Sequence, residues 1–129
     1  MSLRVLVVDD SMVARNMVIR TMRMAGLPLR SVLEAKDGVE GLSVLRGHSV
    51  DLAILDLNMP RMGGMELLEQ LRDDEDLKHV PVVVVSTEGS ATRHEAIRRR
   101  RATFVRKPFA PEALVEAIVL AIGGTDEED

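Results

Sequence analysis

The chain has no cysteine, no tryptophan and no tyrosine, and its aromatic rings, histidine aside, are Phe104 and Phe109 alone. Without cysteine there can be no disulfide, no thiol nucleophile and no thiolate-ligated metal, which fits a reducing cytoplasm. So few aromatics count against any model that needs base stacking or a flavin sandwich. No apolar run approaches the roughly 20 residues that span a bilayer. Met1-Ser2-Leu3 leads straight into a strand pattern, with no basic segment followed by an apolar stretch. Neither export nor membrane insertion is expected, and the expected location is the cytoplasm. Positive charge is not in excess: the net charge is −4. That balance argues against nucleic-acid binding and suits an ordinary solvated surface. No internal repeat or linker is visible, and the one biased segment is the acidic end, 124–129, expected to be a disordered tail.

What the chain does have is an apolar content of 46% over 129 residues, enough for the core of one compact domain, placed at 3–123. Arg4-Val5-Leu6-Val7-Val8 reads as a strand that stops at Asp9-Asp10. From Met12 to Met24 apolar residues recur at helical spacing, with Asp10 or Ser11 placed to cap and Gly26 and Pro28 to terminate. Val32-Leu33 suggests a short second strand, and Gly38 to Leu45 a helix that Gly41 weakens by about 1 kcal/mol relative to alanine. Leu52 to Leu55 is a third strand ending at Asp56. A loop with Pro60, Gly63 and Gly64 precedes a helix through Leu67, Leu68 and Leu71. Val82 to Val85 is a fourth strand ending at Ser86-Thr87, and Thr92 to about Arg101 a helix. Phe104-Val105 marks a fifth strand ending at Lys107-Pro108, and a last helix runs from about Pro111 to Ile122, stopped by Gly123-Gly124. Five strand–helix pairs with continuously apolar strands predict an α/β fold, a doubly wound parallel sheet with helices on both faces.

The polar residues of interest share one structural address. Asp9-Asp10, Asp56, Ser86 and Lys107 each stand just past the C-terminal end of a predicted strand. In a parallel sheet those ends lie on one edge, where ligand crevices form. Singly, each has an ordinary explanation: a cap for Asp10, turns for Asp56 and Ser86, a solvated cation for Lys107. Together they deliver three carboxylates, a hydroxyl and an ammonium to one place. Three carboxylates repel unless a cation neutralises them, and oxygen ligands suit Mg²⁺. A carboxylate nucleophile, a divalent cation, a lysine and a hydroxyl are the parts needed to transfer and hold a phosphoryl group.

These stretches are Val7-Val8-Asp9-Asp10-Ser11, Asp56-Leu57-Asn58-Met59-Pro60, Val85-Ser86-Thr87-Glu88 and Val105-Arg106-Lys107-Pro108-Phe109. In order and spacing the chain resembles the receiver domains of two-component response regulators, of the CheY-like single-domain type. The resemblance implies a five-stranded flavodoxin-like sheet of order 2-1-3-4-5. It implies that Asp56 accepts a phosphoryl group from a sensor histidine kinase or a phosphotransfer protein. It implies Mg²⁺ on the side chains of Asp10 and Asp56, on Asp9 mostly through water, and on the Asn58 carbonyl. Ser86 would donate to the phosphoryl oxygen, Lys107 pair with Asp56 or the phosphoryl group, and Phe104 move inward when Ser86 is drawn over. The Lys107-Pro108 bond is expected to be cis. A protein target would bind the face made by the fourth helix, fifth strand and last helix, in two-component signalling and, from Asn58 and Glu88, of the chemotaxis type. The chain would then be a monomer or weak homodimer and a phosphoacceptor rather than an enzyme, with at most weak self-dephosphorylation.

Three departures from the family pattern stand out. Arg100-Arg101 replaces the usual Gly-Ala before the last strand, within the run Arg98-Arg99-Arg100-Arg101. Helical residues lie about 100° apart, so four in a row would force one arginine toward the sheet, to snorkel outward. The run is either favourable charge at a helix C-terminus or a basic docking patch for an acidic partner. Gly63 replaces the common aspartate, with little effect expected on chemistry. Phe104 stands for the tyrosine of the chemotaxis type, so it would switch by packing alone. In the last helix Leu114, Ile118 and Ile122 make a core stripe, which leaves Val115, Val119 and Leu120 off it as a candidate partner face. His48, His79 and His94 have no ligand spacing and are expected at the surface. Met12, Met17, Met22 and Met24 are expected as core filler.

Two rival readings come from other classes. Asp56-Leu57-Asn58 partly mimics the motif of Mg²⁺-dependent, aspartate-nucleophile phosphohydrolases, but Asn58 cannot be a general acid and the motif follows the third strand. A flavodoxin-like electron carrier would need a phosphate cradle where Asp9-Asp10 stands, and those carboxylates would repel the cofactor.

Overall fold

The computed structural model describes residues 2–126. Along them β1 (Leu3–Val8), α1 (Met12–Met24), β2 (Leu29–Ala35), α2 (Gly38–Gly47), β3 (Leu52–Leu55) and α3 (Gly64–Asp73) are followed by β4 (Val82–Ser86), α4 (Ala91–Arg99), β5 (Thr103–Arg106) and α5 (Pro111–Asp126). The strands form one sheet in the order β2-β1-β3-β4-β5, and every pairing is parallel. Fold class and strand order are thus as expected.

The period of two along each central strand explains the layering. Leu6, Val8, Ala53, Leu55, Val82 and Val84 face one side, where Leu42 and Leu45 of α2, Leu67, Leu68 and Leu71 of α3 and Ile97 of α4 cover them. Val5, Val7, Leu52, Ile54, Val83 and Val85 face the other, under Val18 and Met22 of α1 and Leu114, Ala117 and Ile118 of α5. Both faces being covered is why these strands carry no polar alternation. Each fully buried aliphatic side chain contributes about 1.5–3 kcal/mol. Ser11 caps α1 by accepting from the Ala14 amide at 3.1 Å.

Several boundaries and placements differ from expectation. β2 is longer than Val32-Leu33, because it pairs with β1 from Leu29 to Ala35 and backbone hydrogen bonding overrides its mixed side-chain pattern. α5 does not stop at Gly123-Gly124 but continues to Asp126. Glycine costs about 1 kcal/mol in a helix yet keeps its amide and clashes with nothing. The first three residues of the expected disordered tail, 124–126, are therefore helical, and 127–129 lie outside the described residues. Of the four methionines only Met22 is core. Met12, Met17 and Met24 are exposed, because the inward arc of α1 runs through Val18 and Met22 and the others fall outside it. His48 and His79 are exposed, but His94 is not a surface residue: it is half-buried, its ring centroid 4.1 Å from that of Phe104.

The arginine run leaves its helix midway, so none of the four has to face the sheet. Arg98 and Arg99 close α4, Arg100 is its C-cap, and Arg101 takes a left-handed conformation at φ 58°. Arg72 of α3 holds this turn. Its guanidinium donates to the carbonyl oxygens of Arg100 (2.7 Å) and Arg101 (3.2 Å), and to those of Val80 (2.7 Å) and Lys78 (3.1 Å) in the connection to β4. Arg72→Met keeps most of the stem and removes these donors. It is expected to lower the unfolding free energy by about 2–4 kcal/mol in urea denaturation, since hydrogen bonds to charged groups count about 1.5–3 kcal/mol each and do not add fully.

Candidate functional site

Parallel pairing brings the C-terminal ends of β1, β3, β4 and β5 to one edge, and backbone hydrogen bonding runs a residue beyond them. The Asp9 amide donates to the Ala35 carbonyl at 3.0 Å, the Asp56 amide to Val8 at 2.9 Å, and the Lys107 amide to Ser86 at 2.9 Å. These bonds set the points at which the functional side chains leave the sheet. Asp9, Asp10 and Asp56 each offer a carboxylate oxygen, and these atoms all lie within 4.8 Å of one another. Asp9 and Asp56 are buried and Asp10 is exposed, so the cluster opens to solvent at Asp10.

Lys107 enters this cluster from beyond β5. Its ammonium donates to Asp9 Oδ2 at 2.8 Å and to Asp56 Oδ1 at 3.4 Å. The expected pairing with Asp56 is present, but the shorter bond goes to Asp9. The Lys107-Pro108 bond is cis. Ser86 is fully buried at the end of β4, and its Oγ accepts from the Glu88 amide at 3.2 Å. Asn58 is exposed, two residues past Asp56, in the loop that leads to α3. Phe104 lies half-buried in β5 against His94 of α4, whose Nε2 is buried without a hydrogen-bond partner among the described residues.

Electrostatics within the cluster follow from burial. Desolvation pushes the Asp56 carboxyl above its usual range; Lys107 opposes this and the neighbouring charge of Asp9 adds to it. Burial pulls Lys107 down, yet its hydrogen bond to Asp9 and the charges of Asp56 and Asp9 leave it above the ordinary lysine value. Three carboxylates facing one ammonium remain short of positive charge. An all-oxygen set of this kind fits a hard divalent cation such as Mg²⁺, with Asp9, Asp10 and Asp56 as the side chains able to hold it.

Other residues of the site carried no signal as single letters. A Cβ at Gly64 would stand 2.1 Å from the Asp56 carbonyl oxygen, so α3 begins hard against the Asp56 backbone and its first residue must be glycine. In the sequence Gly63-Gly64 reads only as a loop. Arg15 of α1 donates to the Asp9 carbonyl at 2.7 Å and pairs with Glu34 at 2.8 Å, tying the turn after β1 to β2. The charge of Arg15 could have flagged it only if the α1–β2 packing were known. Away from this edge, Arg98 and Arg99 are exposed and both pair with Glu95, while Arg100 reaches Glu69 of α3 at 3.1 Å. Val119 and Leu120 of α5 are exposed and Val115 half-buried. α4 and α5 both pack on the edge strand β5, from opposite faces of the sheet, so the arginine-rich and apolar helices flank the same sheet edge.

Comparison with known proteins agrees with this geometry. The family model of the response regulator receiver domain matches residues 5–119. The chemotaxis protein CheY1 of Helicobacter pylori is 34% identical over 128 residues, covering 96% of this chain and 100% of that protein. The chemotaxis protein CheY of Pseudomonas aeruginosa is 36% identical over 119 residues, covering 90% and 93%. Among solved structures, the Vibrio cholerae chemotaxis protein CheY4 superposes with a TM-score of 0.81 at 34% identity, covering 94% of this chain and 99% of that one.

The raised pKa of Asp56 carries a stability consequence. The folded chain takes up this proton more readily than the unfolded chain, so ionised Asp56 costs stability at neutral pH, and that cost fades as pH falls through the window between the two pKa values. Asp56→Asn is therefore expected to raise Tm in EDTA at pH 7. The gain should shrink toward the ordinary carboxylate range, as followed by circular dichroism from pH 7 to pH 4.

Proposed function

The chain belongs to the response regulator receiver domain family, and from that premise we propose that it works as a stand-alone phosphorylation switch with Asp56 as the phosphoryl acceptor. The carrying observation is the meeting of Asp9, Asp10 and Asp56 oxygens within 4.8 Å of one another, beside Lys107. In the proposed reaction an Asp56 carboxylate oxygen attacks phosphorus. The bond from phosphorus to the imidazole nitrogen of a histidine kinase or phosphotransfer protein breaks, and the nitrogen leaves with the electron pair. Asp9, Asp10, Asp56 and the Asn58 carbonyl would hold Mg²⁺, which supplies charge neutralisation to the transferring phosphoryl oxygens. Lys107 adds a second positive charge from its bridge between Asp9 and Asp56.

The switch follows from the new charge. Phosphorylation would replace the −1 of the Asp56 carboxylate by about −2 on the phosphoryl oxygens at neutral pH, at the sheet edge that also carries Ser86 and Lys107. Ser86 Oγ accepts from the Glu88 amide, which leaves its hydroxyl hydrogen free to donate to a phosphoryl group, and drawing that oxygen toward Asp56 would carry the loop after β4 with it. To take a two-state equilibrium from 1:99 to 99:1 needs about 5.5 kcal/mol of differential interaction. Two charge-assisted hydrogen bonds at about 1.5–3 kcal/mol each supply most of that. Phe104 packs on the α4 residue His94, so a shift of this loop can reach the α4–β5–α5 face. A protein target would dock there, on Val115, Val119 and the arginines at 98–101, with acidic groups of its own opposite the arginines.

The setting proposed is two-component signalling in the cytoplasm, and chemotaxis in particular, after which the relatives above are named. No helix among the described residues is long and apolar enough to cross a membrane.

Two measurements test this reading. With Mg²⁺ and acetyl phosphate the wild type should gain the mass of one phosphoryl group and Asp56→Asn should not; an unmodified wild type overturns it. Sustained turnover of phosphomonoesters would instead favour the phosphohydrolase class. For the face, Val115→Glu with Val119→Glu should abolish target binding or self-association while leaving phosphoryl uptake intact, and unchanged association would exclude this face.

A further inference from the structure

Among the described residues, one buried carboxylate lies outside the acidic cluster. Asp37 is 0% exposed, and it caps α2 by accepting from the Glu40 amide at 2.8 Å. That hydrogen bond, with help from Arg61, holds its carboxyl below the usual range, so the group is charged at neutral pH. Its ion-pair partner is Arg61, which comes from the loop between β3 and α3 and is itself more than half exposed.

Three further observations tie the same loop to the same helix end. Arg61 sits at φ 66°, a left-handed conformation that a non-glycine residue adopts only when something holds it there. The Gly38 amide, next to Asp37, donates to the Met62 carbonyl at 2.9 Å. A Cβ at Gly38 would fall 2.6 Å from both Met62 Cγ and the Met62 carbonyl oxygen, so the loop and the start of α2 approach as closely as glycine allows. At the other end of the loop the Gly64 amide donates to the Leu57 carbonyl at 2.9 Å. Asn58 lies between these two fastenings.

We propose that the Arg61–Asp37 pair is a latch that holds the β3–α3 loop in the one conformation in which Asn58 can complete a divalent-cation site with Asp9, Asp10 and Asp56. Arg61 and Asp37 are then positioning residues for cation binding: neither touches the cation, and they act through the loop backbone. This inference rests on the cation site proposed above.

Electrostatics and positioning predict different outcomes for one substitution, which makes the latch testable. Arg61→Ala removes a positive charge from the loop that carries Asn58, and by Coulomb interaction alone Mg²⁺ should bind no less tightly. Loss of the latch should instead weaken Mg²⁺ binding by about tenfold, the lower end of what partners outside the ligand shell contribute. Mg²⁺ is titrated into the full chain by calorimetry and by amide NMR for wild type, Arg61→Ala, Asp37→Asn and the double variant. Asp37→Asn retains a side-chain oxygen for the Glu40 amide and so keeps the helix cap. The expected result is weaker binding in both single variants and no further loss in the double one, with shifted amide resonances at 58–63 already in EDTA. Equal or tighter binding by a folded Arg61→Ala protein overturns the latch while leaving the cation site standing. A wild type that binds no Mg²⁺ overturns both.

Discussion

Mutual repulsion among Asp9, Asp10 and Asp56 is the constraint on which the rest of this molecule is organised. Nothing in their own chemistry would bring three carboxylates within 4.8 Å. They are held there because Asp9 and Asp56 are anchored to strand ends by backbone hydrogen bonds that the parallel ladder extends past the sheet, with Asp10 next in the chain to Asp9, and because the strands are buried on both faces and cannot slide. Hydrophobic burial in the two cores therefore works against electrostatic repulsion at the edge. Lys107 offsets part of the repulsion, and its distances, 2.8 Å to Asp9 and 3.4 Å to Asp56, show where that charge goes. The remaining deficit of positive charge is one that a hard divalent cation would fill.

The surroundings of the cluster are stiff on one side and adaptable on the other. Toward α3, Gly64 packs against the Asp56 carbonyl with no room for a side chain, and Gly38 meets Met62 as closely. Contacts of that kind leave few alternative arrangements, as expected for a close-packed interior. Toward α4, the Ser86 hydroxyl accepts a 3.2 Å hydrogen bond from the Glu88 amide, and His94 packs at a tilt against Phe104 with a buried ring nitrogen unsatisfied among the described residues. An unsatisfied buried nitrogen costs free energy, so the α4–β5 side is the less fully satisfied of the two. The proposed two-state response to a phosphoryl group on Asp56 is therefore easier to build there.

Arginine does several different jobs in this chain, which its sequence spacing does not reveal. Arg72 gathers four backbone carbonyls from the ends of α4 and the approach to β4. Arg15 secures the turn after β1 through the Asp9 carbonyl. Arg98 and Arg99 are exposed on Glu95 and remain within reach of a partner. In the run from 98 to 101 a helical projection fails because the helix ends at Arg99 and Arg101 turns left-handed, a break for which the usual glycine is missing.

Strand count, the alternation of strands and helices, the two-sided burial and the residues at the sheet edge were all legible from the sequence, because they depend on local patterns: continuous apolar runs, helical spacing, and acidic or basic residues just past them. The chain's own letters also held Asp56, Lys107 and Ser86 as one group once the strands were taken as parallel. What they did not hold was anything set by distant packing. Met12, Met17 and Met24 were exposed rather than buried because the angular position of α1 is decided by its contact with the sheet. His94 became a partner of Phe104, and Gly64 a necessity, only through neighbours ten or eight residues away in sequence and on different elements. Local composition determines which segments become strands and helices and which of their ends carry charge. Which side chains then touch is settled by interaxial packing and close backbone approach, and these are properties of the assembled layers rather than of any one segment.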